Sequence, residues 1–381
     1  MNNNKYKNPR IKPIYPLYRL NKTEFRIGAQ LGITAEFTDP DGQLWELAIR
    51  LNGRPVEIVI KEMQKLFPEL SHDDILEGIE LLDNEGFIEE ALYDEESNIA
   101  KRFMPNVNYF SRYIGSNGNR YQPQKLLNNS TILLLGLGGG GSNILTLLAG
   151  LGPKKIIIID YDNVEEGNLG RQLLYTEEDI GKPKAEAAAH AIAKINSNII
   201  IEPYNKKIIR PEDVLEHVSG VDLVICAIDE PPFIAQRIVN KAIVTAKVPC
   251  VFGASQVSRG RVFTVIPGVT GCFDCMNLHY SMRDPQFNEQ FIAFRNIEFS
   301  PPTIAYAPAI YQLTAAIVDE AVRVITRYAE PRSLGTQYEI NFEDGSSFAH
   351  PTWPRYADEC PTCGNGDIDK WEIFKYYEDK K

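Results

Sequence analysis

The sequence predicts an α/β fold: a doubly wound, mostly parallel sheet, preceded by a small winged-helix-like domain. Three observations carry this expectation. Strands and helices alternate from residue 130 onward, a glycine-rich turn joins the first of those strands to its helix, and two C-x-x-C pairs lie 88 residues apart. An acidic, helix-patterned segment stands ahead of all three.

A chain of 381 residues is long enough for two domains. With 44% hydrophobic and 24% charged residues it reads as a globular protein, not a disordered or collagen-like one. The net charge of −11 argues against a nucleic-acid partner, since phosphate binding needs clustered Lys and Arg. Six cysteines are too few for a disulfide scaffold. The polar, basic start MNNNKYKNPRIKP lacks the apolar core of a signal peptide. Residues 126–153 carry no charge, but the glycine run at 136–141 makes one continuous helix costly. A strand, a glycine turn and a helix are expected there instead of a membrane span, and the protein is expected in the cytoplasm.

Residues 1–30 carry a net charge of +6 and residues 41–100 one of −12. In the acidic stretch, LWELAIRLNGR, PVEIVIKEMQKLF and ILEGIELLDNEGF predict three helices. Ser71 or Asp73 caps the third, Asn84-Glu-Gly86 stops it, and Phe87-Ile88 begins a short strand. Residues 1–100 thus form the expected winged-helix-like domain, and its negative charge disfavours DNA. Residues 101–129, rich in Asn, Tyr, Gly and Pro, are expected to be a linker or arm.

Residues 130–381 form the second expected domain. Strands are predicted over 131–135, 155–160, 199–204, 222–227, 249–253 and 261–266. Helices are predicted over 142–150, 183–196, 211–218 and 233–246, and a last one over about 308–328.

Gly136-x-Gly138-Gly139-x-Gly141 follows a strand and opens a helix, the context of a Rossmann-like nucleotide site. Backbone N–H groups there can approach phosphate, and Asp160, ending the next strand, suits a ribose hydroxyl. This leaves NAD and ATP both open, beside a glycine turn that serves only packing. Asp160-Tyr-Asp162, Asn168-Leu-Gly-Arg171-Gln172 and Gly181-Lys182-Pro-Lys184 then favour ATP. Three cations close behind a phosphate loop suit a triphosphate whose pyrophosphate must leave. Asp229, ending the fourth strand, sits where such sheets gather ligands and suits Mg²⁺.

Cys272-Phe-Asp-Cys275 and Cys360-Pro-Thr-Cys363 have the spacing of a closed tetrahedral Zn²⁺ site. Two separate thiol pairs, or one redox pair, are the alternatives. Cys226 and Cys250 fall in predicted core strands and read as inert thiols. The five histidines show no metal or triad spacing.

These motifs together resemble the ThiF/MoeB superfamily, the ubiquitin-activating-like enzymes that adenylate carboxylates. The resemblance covers about residues 125–365. It implies cofactor binding by Gly136, Gly138, Gly139, Gly141, Asp160, Asp162, Asn168, Arg171, Gln172, Lys184 and Asp229. Asp160 would meet the ribose, Asn168, Arg171 and Lys184 the phosphates, and Asp229 magnesium, with Arg171, Lys184 and Asp229 catalytic. It also implies zinc at the four cysteines and a homodimer in which Arg102 or Arg112 reaches the partner's ATP. Glu230-Pro-Pro-Phe233 departs from the sulfur-carrier activators, where Asn usually follows the Asp.

No cysteine lies between Met276 and Glu359, so a thioester-forming nucleophile is missing and 281–303 reads as a mobile crossover loop without one. Asp229-x-Pro-x-Phe233, Pro267-Gly-x-Thr-Gly-Cys-x-x-Cys275 and Tyr328-x-Glu-Pro-x-Ser-Leu334 are similar to the microcin C and pantocin A adenylating enzymes, which act on ribosomal precursor peptides. The amino-terminal pattern resembles the PqqD-like domains that capture a leader peptide as an added strand. Its acidity suggests a leader with basic and apolar residues. The resemblance therefore implies adenylation of a peptide carboxylate followed by attack of an intrapeptide nucleophile, in peptide-antibiotic maturation. A sulfur-carrier activator and a nucleotide-sensing, DNA-binding regulator are the alternatives.

Overall fold

The computed structural model describes residues 5–29, 33–94, 98–229, 234–295, 304–371 and 373–374. Glu230–Phe233 and residues 296–303, both singled out in the sequence, lie outside them. The chain divides into two compact units, Met1–Lys125 and Leu126–Lys381.

In the first unit, strands β1 (Pro9–Ile11), β2 (Leu17–Arg19), β3 (Glu24–Ile27) and β4 (Ala35–Thr38) precede helices α1 (Gln43–Arg50), α2 (Val56–Leu66) and α3 (His72–Asn84). Strands β2, β3 and β4 make an antiparallel sheet in that order. After α3, β5 (Ile88–Glu90) returns to pair with β1. Ser71 caps α3 through a capping box with Asp74, as the Ser-x-x-acid spacing requires. The first four strands were not expected from the sequence. They are three or four residues long and partly exposed, so apolar alternation is weak. The apolar faces of the three helices close the core with Phe25, Ile27 and Phe37.

Part of the acidity of this unit is paired inside it. Arg10 and Arg120 converge on Glu89, which is 1% exposed, and Arg10 also meets Asp94. Lys5 holds Asp83, Arg50 holds Glu46, and Arg54 holds Glu62. Of these cations only Lys5 and Arg10 come from the basic start, and Glu57, Asp73, Glu77, Glu80 and Glu85 stay exposed, so the unit keeps an acidic surface.

The stretch expected to be a linker contains α4 (Met104–Ser111) and α5 (Gln122–Asn129). Val107, Phe110, Arg120 and Tyr121 are buried, and Tyr121 Oη donates to Asp94 at 2.7 Å. Those contacts place the division near residue 125 instead of at 100 or 129.

The second unit carries β6 (Thr131–Leu135), α6 (Gly139–Leu151), β7 (Lys155–Asp160), α7 (Lys184–Ile195), β8 (Ile200–Asn205), α8 (Glu212–Leu215), β9 (Leu223–Cys226), α9 (Ile234–Ala246) and β10 (Cys250–Ser255). Strand β11 (Arg259–Val265), helices α10 (Phe273–Arg283), α11 (Pro285–Arg295) and α12 (Ala307–Thr326), and strands β12 (Gln337–Asn341) and β13 (Ser347–Ala349) follow. One sheet runs β13-β12-β11-β10-β9-β6-β7-β8. Its members from β10 to β8 are parallel, and β11, β12 and β13 extend it antiparallel. Helices on both faces explain why β6 and β7 read as unbroken apolar runs. The predicted helix at 211–218 is only one turn long, and the antiparallel setting of β11 was not foreseen. From β6 the chain winds outward through β7 and β8, then crosses back to β9 and β10. The switch point lies between the carboxyl ends of β6 and β9, where sheets of this kind hold ligands.

Among the described residues no helix is long and apolar enough to cross a membrane.

Candidate functional site

The glycine turn leaves β6 at that switch point. Gly136 adopts φ +91°, and a Cβ there would stand 2.6 Å from the Ala227 carbonyl oxygen after β9. A Cβ on Gly141 would meet the Gly136 carbonyl oxygen at 1.8 Å. Both glycines are thus fixed by close backbone approach. Gly138 has nothing within 4 Å of the corresponding position. Helix α6 starts at Gly139 with no side-chain cap, so its first-turn N–H groups have no partner inside the helix, an arrangement suited to an anion.

Asp160, 9% exposed, ends β7 beside the turn. Its carboxylate accepts from Leu137 N at 2.6 Å and from Asp162 N at 2.8 Å, one bond on each oxygen. Burial pushes its carboxyl above the ordinary value, and the two N–H donors pull the other way. Tyr175 Oη donates to the Leu137 carbonyl and braces the same turn.

Lys184, the first residue of α7, is 5% exposed and its Nζ lies 3.0 Å from Asp162 Oδ2. The Arg171 side chain runs along Gly139, with Cδ 3.5 Å from where a Cβ would sit, and donates to the Gly167 carbonyl. Asn168 is buried and its Oδ1 accepts from Glu165 N. Lys182, which the sequence grouped with these cations, is paired with Asp179 on the surface. Asp229 lies just beyond β9, exposed, in the segment whose Ala227 meets Gly136. Arg102 and Arg112 are exposed in the first unit.

Two residues that motif reading did not value complete this neighbourhood. Asn143, on α6, donates from Nδ2 to the carbonyls of Gly139 and Arg171, which ties the glycine turn to the arginine segment. Its Oδ1 and the Oε1 of buried Gln172 are without hydrogen-bond partners among the described residues. An asparagine inside an otherwise apolar helix, four residues after Gly139, was the available signal.

The four cysteines converge, with all their sulfurs within 4.8 Å of one another. Cys272–Cys275, Cys272–Cys360 and Cys275–Cys363 separations are 3.9, 3.6 and 3.3 Å. Four sulfurs about 2.3 Å from a tetrahedral dication would lie about 3.8 Å apart, so the donor set fits such an ion. Backbone N–H groups of Tyr356 and Cys363 point at Cys275 and Cys360 sulfur, as thiolates require. Burial pushes the Cys226 thiol up to about 12 and Cys250 well above its ordinary value. Neither is poised as a nucleophile.

Comparison with known proteins follows the same outline. The ThiF family profile matches residues 107–362. The SAMP-activating enzyme E1 of Haloferax volcanii is 27% identical over 71% of this chain and 93% of its own length. The sulfur carrier protein ThiS adenylyltransferase of Bacillus subtilis is 30% identical over 64% of this chain and 68% of its own. Among solved structures, MccB of E. coli superposes with a TM-score of 0.76 at 25% identity, covering 94% of this chain and 97% of MccB.

Proposed function

This chain belongs to the ThiF family, and we propose that, as an ATP-dependent adenylating enzyme, it activates a carboxylate of a bound precursor peptide. The observation that carries the peptide reading is extent. MccB matches 94% of the chain, whereas the Haloferax and Bacillus relatives align with 71% and 64%. MccB, a microcin C7 biosynthetic enzyme, has been solved with ATP and with N-formylated MccA.

In the proposed reaction a peptide carboxylate oxygen attacks the α-phosphorus of ATP. The bond to the bridging oxygen breaks and pyrophosphate leaves with its electrons. A nitrogen of the same peptide then attacks the acyl carbon, loses its proton, and AMP departs. The product is a cyclised or cross-linked peptide. A nucleotide-bearing one requires a second ATP, whose α-phosphorus the peptide nitrogen then attacks with loss of its proton and of a second pyrophosphate.

The N–H groups opening α6, from Gly138 through Gly141, receive phosphate oxygens behind Gly136. Asp160 has spent one acceptor site per oxygen on the turn and keeps the others for ribose hydroxyls. Asn168, Arg171 and Lys184 face the phosphates with Gln172 beside them, and Asp162 holds Lys184 in place. Arg171 and Lys184 counter the charge that develops as pyrophosphate leaves. Asp229 is the residue to hold Mg²⁺, which would neutralise the departing oxygens. Cys272, Cys275, Cys360 and Cys363 would hold a structural Zn²⁺, with no position left for water.

Residues 1–100 are proposed as the recognition domain, taking the leader peptide as an added strand. In the sheet β2-β3-β4, both β2 and β4 have a single partner among the described residues, which leaves an edge for that strand. The enzyme is proposed to act as a homodimer, with Arg102 or Arg112 reaching the partner's nucleotide.

Pyrophosphate release, measured with candidate short precursor peptides and with a Gly-Gly-ended carrier protein, tests this. Release that depends on the peptide supports the proposal. Release that depends only on the carrier overturns it in favour of a sulfur-carrier activator.

A further inference from the structure

Helix α9 presents two residues, three positions apart, to the first cysteine turn. Asn240 is wholly buried. Its Oδ1 accepts from Phe273 N at 3.0 Å, and its Nδ2 donates to Cys272 Sγ at 3.5 Å. Arg237 donates from Nε to Asp274 Oδ1 at 2.9 Å and from Nη2 to Oδ2 at 3.3 Å. Asp274, 1% exposed, lies between the cysteines of the first pair. Its Oδ2 also accepts from Thr362 Oγ1 at 2.6 Å, a residue between the cysteines of the second pair. One carboxylate therefore clamps both turns and α9 together. The Arg237 guanidinium lies 4.6 Å above the buried Phe374 ring.

Asp274 is buried and Arg237 nearly so, and taking such a pair out of water costs several kcal/mol, so it is retained where its geometry is needed. Here the pair touches no sulfur and fixes the two turns that carry all four. We infer that Asn240 and Asp274 are outer-sphere positioning residues of the metal centre, Asn240 by tuning Cys272 sulfur and Asp274 by setting the mutual orientation of the cysteine turns. This rests on the reading of the four cysteines as a metal centre. It also makes α9, which begins five residues beyond Asp229, an element the centre holds in place.

Cobalt(II) is the probe. Asn240→Asp keeps the acceptor for Phe273 N but turns a carboxylate oxygen toward Cys272 in place of the donor. In the full-length cobalt-loaded protein the thiolate-to-cobalt charge-transfer band is expected to move to lower energy, because the sulfur becomes more electron-rich. Metal release to a chromogenic chelator is expected to be about 10–100-fold faster. Thr362→Val, which removes a single bond from Asp274, should speed release less and leave the band in place, and it serves if the first variant does not fold. Wild-type band position and release rate in Asn240→Asp, or an unchanged rate in Thr362→Val, would overturn the inference. A wild-type protein that takes up cobalt without a four-thiolate spectrum overturns the metal reading itself.

Discussion

The glycine turn and the cysteine centre are both built from short motifs, but they leave their polar atoms in opposite conditions. At the turn, Asn143 Oδ1 and Gln172 Oε1 have no partner among the described residues, the first N–H groups of α6 are uncapped, and Asp229 is exposed. At the cysteines, sulfur faces sulfur within 4.8 Å, and N–H groups of Tyr356, Cys363 and Asn240 supply donors. Buried polar atoms are usually satisfied, so the unspent capacity at the turn fits the nucleotide proposed there. Near the cysteines Asn277 Nδ2 and Trp353 Nε1 also lack partners among the described residues, but they are not on the sulfurs. A donor set already closed marks a permanent cross-link. The first is expected to carry chemistry and the second stability, and substitutions at each should separate the two.

The largest effect is expected at the turn. Arg171→Ala or Asp229→Ala should lower ATP–pyrophosphate exchange by about 10²–10³-fold, the usual loss of one charge-stabilising group. Melting temperature should hardly move, because Asp229 is exposed and Arg171 bonds a single local carbonyl. A fall in stability matching the loss of activity would erase the contrast. Cys272→Ser should behave the opposite way, with lower soluble yield and melting temperature, because metal binding and folding are one equilibrium. Elemental analysis should find one zinc per wild-type chain.

Deleting residues 1–100, which leaves Arg102 and Arg112 in place, extends the contrast to the first unit. Peptide KM should rise at least about tenfold while ATP binding persists, since recognition and chemistry are carried by separate parts. The smallest effect is expected for the Cys226→Ala, Cys250→Ala double variant, which should modify peptide at a comparable rate. With Cys226 pushed up to about 12, about one thiol in ten thousand would be ionised at pH 8. Thiol reagents should therefore spare that residue in the native protein and label it after unfolding.

What the sequence revealed follows from how each element is stabilised. The strands at 131–135 and 155–160 were legible to the residue because both faces are buried and the apolar run is continuous. Strand β1 was not, since its three residues pair with Glu90, Glu89 and Ile88 far along the chain. Strands β12 and β13 mix polar and apolar residues and owe their place to the neighbouring antiparallel ladder. At the site, Gly136 and Gly141 announced themselves because backbone crowding admits nothing larger. Tyr175 did not, because its hydroxyl reaches Leu137 across 38 residues of sequence. The net charge of residues 41–100 hid part of the pairing for the same reason. Glu89 and Asp83 are neutralised by Arg10, Arg120 and Lys5, which lie outside that window.

The central claim is that a peptide carboxylate is activated on ATP and resolved without an enzyme thioester. Intact-mass spectrometry of both peptide and enzyme, on single-turnover reactions quenched in acid, tests it most directly. The expected result is an adenylated peptide that converts to product while the enzyme mass stays constant throughout. A peptide–enzyme adduct that thiol reagents cleave would contradict it.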